Sequence, residues 1–115
     1  MANLRTFGGE YLLKIENDYI KDFFSGLIKY RINGDKLCDY SGRILYQLDG
    51  ERIKDFSGRT ILYVDYQRIK TFSGQIIAFY DNNYIKEFSG RIIYKFDGFL
   101  SRREMMAIFA ILFAV

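Results

Sequence analysis

The stretch FSGRIIYKFDG, Phe88 to Gly98, is written almost twice more in the same chain, as FSGRTILYVDY from Phe56 and YSGRILYQLDG from Tyr40. Aligned on this phrase, Phe24, Tyr40, Phe56, Phe72 and Phe88 recur every 16 residues, each followed by Ser-Gly. Phe7-Gly8-Gly9 begins an earlier copy, and the pair Phe23-Phe24 carries one inserted residue. Such self-similarity is the first thing a fold argument has to explain. Two turn signals divide each unit: Ser-Gly, and a pair that reads Asp-Gly, Asn-Gly or Asp-Asn in most copies. Pairs of this kind supply the positive φ of tight hairpin turns. The segments between them have ordinary strand lengths. The repeat is therefore read as a β-hairpin, and the chain as a meander of hairpins.

The apolar pattern sets the expected pairing. With Asp49-Gly50 as a two-residue turn, Tyr46 faces Ile53, and an even-length loop through Ser57-Gly58 puts Ile53 opposite Leu62. Continued, that register lines up Leu13, Ile20, Tyr30, Leu37, Tyr46, Ile53, Leu62, Ile69, Ala78, Ile85 and Tyr94 as one inward row. Ile28, Ile32, Ile44, Leu48, Val64, Ile76, Ile92 and Phe96 are expected on the same face. Arg43, Arg59, Arg91, Lys54, Lys70 and Lys86 alternate outside with Leu45, Ile61, Ile77 and Ile93, long basic chains lying over apolar stems. A bulge at Ser-Gly would turn half the row outward, and the pattern argues against it.

The two ends read as halves of one repeat. Leu4-Arg5-Thr6-Phe7 matches Ile69-Lys70-Thr71-Phe72, and Arg91 to Phe96 is a first strand without its second. Pairing these orphans leaves no bare edge. The fold class expected is mainly β: a closed antiparallel meander of about twelve short strands, in six 16-residue hairpins, around a C-terminal apolar helix. At ~4.8 Å between strands and ~40° tilt, the radius is on the order of 12 Å, too wide for wall side chains alone to fill. The filling is SRREMMAIFAILFAV. Ser101 and Glu104 form a capping box, and every residue from Met105 to Val115 is apolar, so this helix has no wet face. Residues 1–115 are read as one domain, with repeats over 3–98 and a plugging helix over 101–115. Membrane association is not expected, because eleven apolar residues make ~17 Å of helix against a ~30 Å hydrocarbon core.

The phrase SGRIIYKFDG, followed by the recurring Ile-Lys-Asp-Phe, resembles short bacterial hairpin-repeat families. These are the YD-repeats of Rhs-type toxin shells, the WG-type repeats and the small 4-fold beta flowers. The likeness extends from Leu4 to Gly98. The last of these families implies hairpins arranged about an axis, and none carries over a catalytic residue.

Composition narrows the function classes. A net charge of +3 on 115 residues gives little steering toward nucleic acid, and no nucleic-acid partner is expected. There is no histidine and one cysteine, Cys38, so Ser-His-Asp chemistry and a Cys/His metal site are excluded. No cofactor is expected. A lone thiol and the lack of an uninterrupted apolar leader point to a cytoplasmic protein. Two candidate surfaces remain. Asp22, Asp39, Asp55 and Glu87, ending second strands, could form an acidic rim for a cation, against which stands turn capping. Phe24, Tyr40, Phe56, Phe72 and Phe88 near Arg43, Arg59 and Arg91 could form a ligand or partner surface, against which stands cross-strand packing with cation–π support. The leading expectation is a non-enzymatic module with a structural or protein-interaction role, its partner itself or another protein. The alternative is a small-ligand or carbohydrate-binding module using the rim or the aromatic-basic exterior.

Overall fold

The computed structural model describes residues 2–65, 67–81 and 83–114; Asn82, of the expected Asp81-Asn82 turn pair, and Val115, the end of the expected helix, lie outside them. The elements follow the repeat: β1 Ala2–Thr6, β2 Tyr11–Glu16, β3 Tyr19–Asp22, β4 Ile28–Asn33, β5 Lys36–Asp39, β6 Ile44–Asp49, β7 Arg52–Asp55, β8 Thr60–Asp65, β9 Arg68–Thr71, β10 Ile76–Asp81, β11 Tyr84–Glu87 and β12 Ile92–Gly98. Helix α1, Arg102–Phe113, ends the described chain. Each strand pairs with its sequence neighbours, and β1 pairs with β12, closing the antiparallel barrel.

The seam is one more hairpin whose turn is missing. Leu4 faces Phe96 across it, as Ile53 faces Leu48 within a continuous hairpin. An ion pair recurs with the same register: Lys54–Asp49 at 2.8 Å, Lys70–Asp65 at 3.1 Å and Lys86–Asp81 at 3.6 Å. Arg5–Asp97 at 2.7 Å takes that place at the seam. Where Cys38 replaces the lysine, Asn33 replaces the aspartate, so both members of the pair are lost together. Cys38 itself is buried.

Two expectations about register are corrected. Leu48, not Tyr46, faces Ile53, and Tyr46 faces Asp55, because the turn is Gly50-Glu51 rather than Asp49-Gly50. Gly50, at φ +61°, takes the first central position, where a primed turn needs the left-handed region that glycine occupies without steric cost. The inward row is therefore a staircase. At every such hairpin and at the seam it steps two residues toward the Gly-Glu end. Six steps of two residues give a stagger of twelve around twelve strands. At ~3.3 Å per residue and ~4.8 Å per strand, that stagger tilts the strands by about 35° and sets a wall radius of about 11 Å.

The second correction is the bulge. Every Ser-Gly hairpin contains one, as where Ile53 faces Leu62 but Lys54 faces Thr60. It does not scramble the row because it sits at the last pair before the loop, where only the rim residues change phase. Ile53 and Leu62 are buried, and half-buried Tyr46 packs on the same core. The residues beyond the bulge do shift: Ile44, expected inside, is 39% exposed, whereas Ile61, Ile77 and Ile93, expected outside, pack against the core.

The helix lies in the lumen. Ser101 caps it: its hydroxyl accepts from the Glu104 amide at 3.1 Å, and the Glu104 carboxylate accepts from the Ser101 amide at 3.0 Å. Met106, Ala107, Ile108, Phe109 and Ala110 are all buried, five successive positions covering every face of the helix. Only an enclosing wall does that. A helix with its side chains is ~10–12 Å across, and the inward wall residues fill the rest of the ~11 Å radius. Arg103 holds the helix start to Asp18 at 2.9 Å, at the Gly-Glu end, so the helix runs back toward the Ser-Gly end. There the Tyr46 hydroxyl donates to the Ala114 carbonyl at 3.4 Å.

Phe109→Ala is expected to cost about 3–5 kcal/mol in urea unfolding, the range for emptying a buried aromatic site. Phe72→Ala, at a site 72% exposed, is expected to change stability by less than about 0.5 kcal/mol. Similar losses for the two would contradict the lumenal helix.

Candidate functional site: the Ser-Gly rim

An antiparallel meander puts alternate turns at opposite ends, so all six turns of the Ser-Gly class share one rim. Their geometry is built by the residues that flank them. In the Asp39–Arg43 turn the Asp39 amide donates to the Arg43 carbonyl at 2.9 Å, and the Gly42 amide to the Asp39 carbonyl at 3.0 Å. Asp39 Oδ1 accepts from the Ser41 amide at 3.0 Å, the Ser41 hydroxyl at 2.6 Å and the Arg43 amide at 2.9 Å. Gly42, at φ +97°, forms the left-handed corner. Asp55, Ser57, Gly58 and Arg59 repeat this arrangement with nearly the same distances.

The four expected rim acids are thus turn caps. Asp22 accepts from the Ser25 amide and hydroxyl, both at 2.9 Å, and Glu87 accepts from the Ser89 hydroxyl and from Arg91. Thr71 and Thr6 stand in the other two turns. Among the described residues, no group of three or more His, Cys, Asp or Glu side chains is placed to hold a metal ion. Hydrogen bonds to the charged form favour it. Those from Ser41 and Ser57 hydroxyls hold Asp39 and Asp55 below the ordinary carboxylate range. The Ser25 amide does the same for Asp22, and the Ser89 hydroxyl for Glu87.

The aromatic residues have no such duty. Phe7, Phe24, Tyr40, Phe56, Phe72 and Phe88 occupy the loop of each turn and are between 60% and 77% exposed. The expected pairing with Arg43, Arg59 and Arg91 is not formed: those guanidiniums turn to Asp39 at 3.4 Å, Asp55 at 3.5 Å and Glu87 at 3.2 Å. The carboxylate offers full charge and a second bonding site, whereas an exposed ring offers only ~0.5–1 kcal/mol. Most of the described cation–π contacts lie elsewhere on the wall, as with Arg31 over Tyr19 and Arg52 over Tyr63; at the rim Lys95 lies over Phe7 and Lys14 over Phe23. The inserted Phe23 stacks on Tyr11 at 4.3 Å and meets Phe24 edge-on at 5.1 Å.

Sequence reasoning missed the centre of this rim. The half-buried helix end, Ile111 to Ala114, emerges within the crown. Beside it Tyr30, Leu45, Tyr46, Asp55, Phe56 and Ile111 line a cleft of about 440 Å³. Tyr30 and Tyr46 were legible only as core residues; their signal was a hydroxyl-bearing ring in two adjacent hairpins, where Leu13, Leu62 and Ala78 stand in others and Tyr94 in a third.

The fold and rim together define a closed hairpin-repeat barrel with a central helix and an aromatic crown at one end. Compared with family models, with curated proteins and with solved structures, the chain matches none.

Because the folded-state pKa of these carboxylates is lowered, their contribution is full above the ordinary value near 4 and is lost as pH falls through the folded values. Thermal midpoints are therefore expected to drop below about pH 4. The double variant Asp39→Asn, Asp55→Asn is expected to be less stable at pH 7 and to show a flatter acid limb. An unchanged acid limb would show that the stability loss has another source.

Proposed function

We propose that the protein is a non-enzymatic β-repeat module that works by self-association, two copies docking through their Ser-Gly rims. The observation that carries this reading is the crown itself. Six large aromatic side chains recur on one rim at high exposure in positions where the fold requires Asp, Ser and Gly but no ring. Leu27, 69% exposed in the second turn, adds to it. Large apolar side chains exposed repeatedly on one rim favour an interaction site.

Size and charge favour a second copy as the occupant. The molecule measures 37 × 34 × 20 Å, so the rim face has a footprint of about 1,000 Å², and two such faces reach the standard range for stable interfaces. An isologous contact needs a self-complementary surface. Each of three turns carries an arginine beside a carboxylate, so a rim turned onto its copy can set opposite charges together. An anionic lipid surface fits less well. The six turn segments hold Glu10, Asp22, Asp39, Asp55 and Glu87 against Arg43, Arg59 and Arg91, a net charge of −2.

Light scattering across a concentration series is expected to show a monomer–dimer equilibrium. The triple variant Phe24→Ser, Phe72→Ser, Phe88→Ser should be monomeric with its thermal midpoint at high dilution unchanged. A wild-type chain that stays monomeric at high concentration, or that sediments with neutral and anionic vesicles instead of dimerising, would overturn the reading.

A further inference from the structure

In a repeat barrel, a position that departs from its equivalents is free of the requirement that the fold places on the others. One such departure, at Leu45, meets a pair of adjacent tyrosines at one point of the Ser-Gly rim. The inward, rim-proximal position reads Leu13, Tyr30, Tyr46, Leu62, Ala78 and Tyr94 in successive hairpins, and Tyr30 and Tyr46 are neighbours in the ring. The bulge position beside it holds Leu12, Leu45, Ile61, Ile77 and Ile93 in five hairpins. Four of these pack against the core, and Leu45 does not. The space it leaves unfilled is the cleft between the wall and Ile111 on the helix. One helix in a lumen of nearly six-fold symmetry cannot contact all sides equally; it packs more on β6 than on any other strand, and the cleft is the gap left at the rim end of that contact, between Leu45 and Ile111.

We propose that this cleft binds a flat, uncharged, largely apolar small molecule carrying one hydrogen-bond acceptor. Its volume of about 440 Å³ lies within the range of small-molecule sites, which are mostly apolar with few placed polar groups. Phe56 and the two tyrosine rings supply aromatic walls, and Leu45 and Ile111 aliphatic ones. The polar groups select an acceptor. Tyr46 directs its hydroxyl to the Ala114 carbonyl at 3.4 Å, which leaves Tyr30 as the donor at the cleft. The Asp55 carboxylate, at the edge, is already bonded by Ser57 and the Arg59 amide, and its charge disfavours an anionic ligand. A second depression of about 410 Å³, lined by Arg43, Ile44, Leu45 and Phe56, continues the groove over the rim and provides the way in.

The site does not depend on self-association and can be tested without it. Prodan, a neutral naphthalene ketone whose emission reports polarity and hydrogen bonding, is titrated into the Phe24→Ser, Phe72→Ser, Phe88→Ser background, which keeps Phe56. A saturable one-to-one blue shift is expected. Leu45→Trp, which fills the cleft from a position not packed on the core, should weaken binding at least tenfold with an unchanged thermal midpoint. Tyr30→Phe should weaken prodan several-fold while leaving its ketone-free analogue unaffected. The proposal is overturned if no saturable shift occurs, if Leu45→Trp binds as the parent does, or if Tyr30→Phe affects both probes alike.

Discussion

The two-residue step at each Gly-Glu-type turn governs the rest of this molecule. A primed turn with glycine, or an Asn-Asp pair, at its centre offsets the second strand against the first, and the same offset repeats at the seam between β1 and β12. Repeated round the ring, it fixes the strand tilt and therefore the radius. A barrel of that radius has a lumen that wall side chains cannot meet across, so an apolar insert is a geometric necessity rather than an embellishment. The all-apolar run after Ser101 satisfies it, with no face of its middle turns left to water.

The other set of turns plays a different part. At the Ser-Gly rim a carboxylate, a serine and a left-handed glycine build a capped three-residue loop, and the bulge next to it ends the regular ladder one pair early. This lets rim residues change phase without disturbing the buried staircase. The arrangement also separates duties along the repeat. Asp, Ser, Gly and Arg are occupied with one another, while the aromatic residue between them is held out in solvent by a loop that does not use it. A side chain repeated six times on one rim at high exposure, with no part in the turn's hydrogen bonding, is the best pointer to function in the molecule.

Much of the architecture was legible. The 16-residue period gave the hairpins, the matching ends gave the seam, and Ser101 with Glu104 marked the helix start to the residue. The errors were local and had local causes. Asp49-Gly50 and Gly50-Glu51 both read as turns, and strand alternation cannot choose between them because a two-residue slip keeps every side chain on its face. The bulge was discounted because a shift along the whole strand would invert it, whereas a shift confined to the last pair inverts only residues such as Ile44. The rim acids and arginines were legible as residues of one end, but whether Arg43 turned to a ring or to Asp39 depended on a few ångströms of loop geometry.

By itself the sequence determined which residues of the regular ladder face inward, how many hairpins there are and that an apolar helix must be enclosed, because these follow from periodicity and from the cost of exposing apolar surface. The facing of Ile44, Ile61, Ile77 and Ile93 at the bulges did not follow. Only the tertiary structure decided the stagger, and with it the diameter, since that is a property of pairing between strands rather than of any one strand. It alone also placed the helix end off-centre beside Tyr30, Leu45 and Tyr46. A single helix cannot fill a near-six-fold lumen evenly, and no local pattern says which strand it packs on.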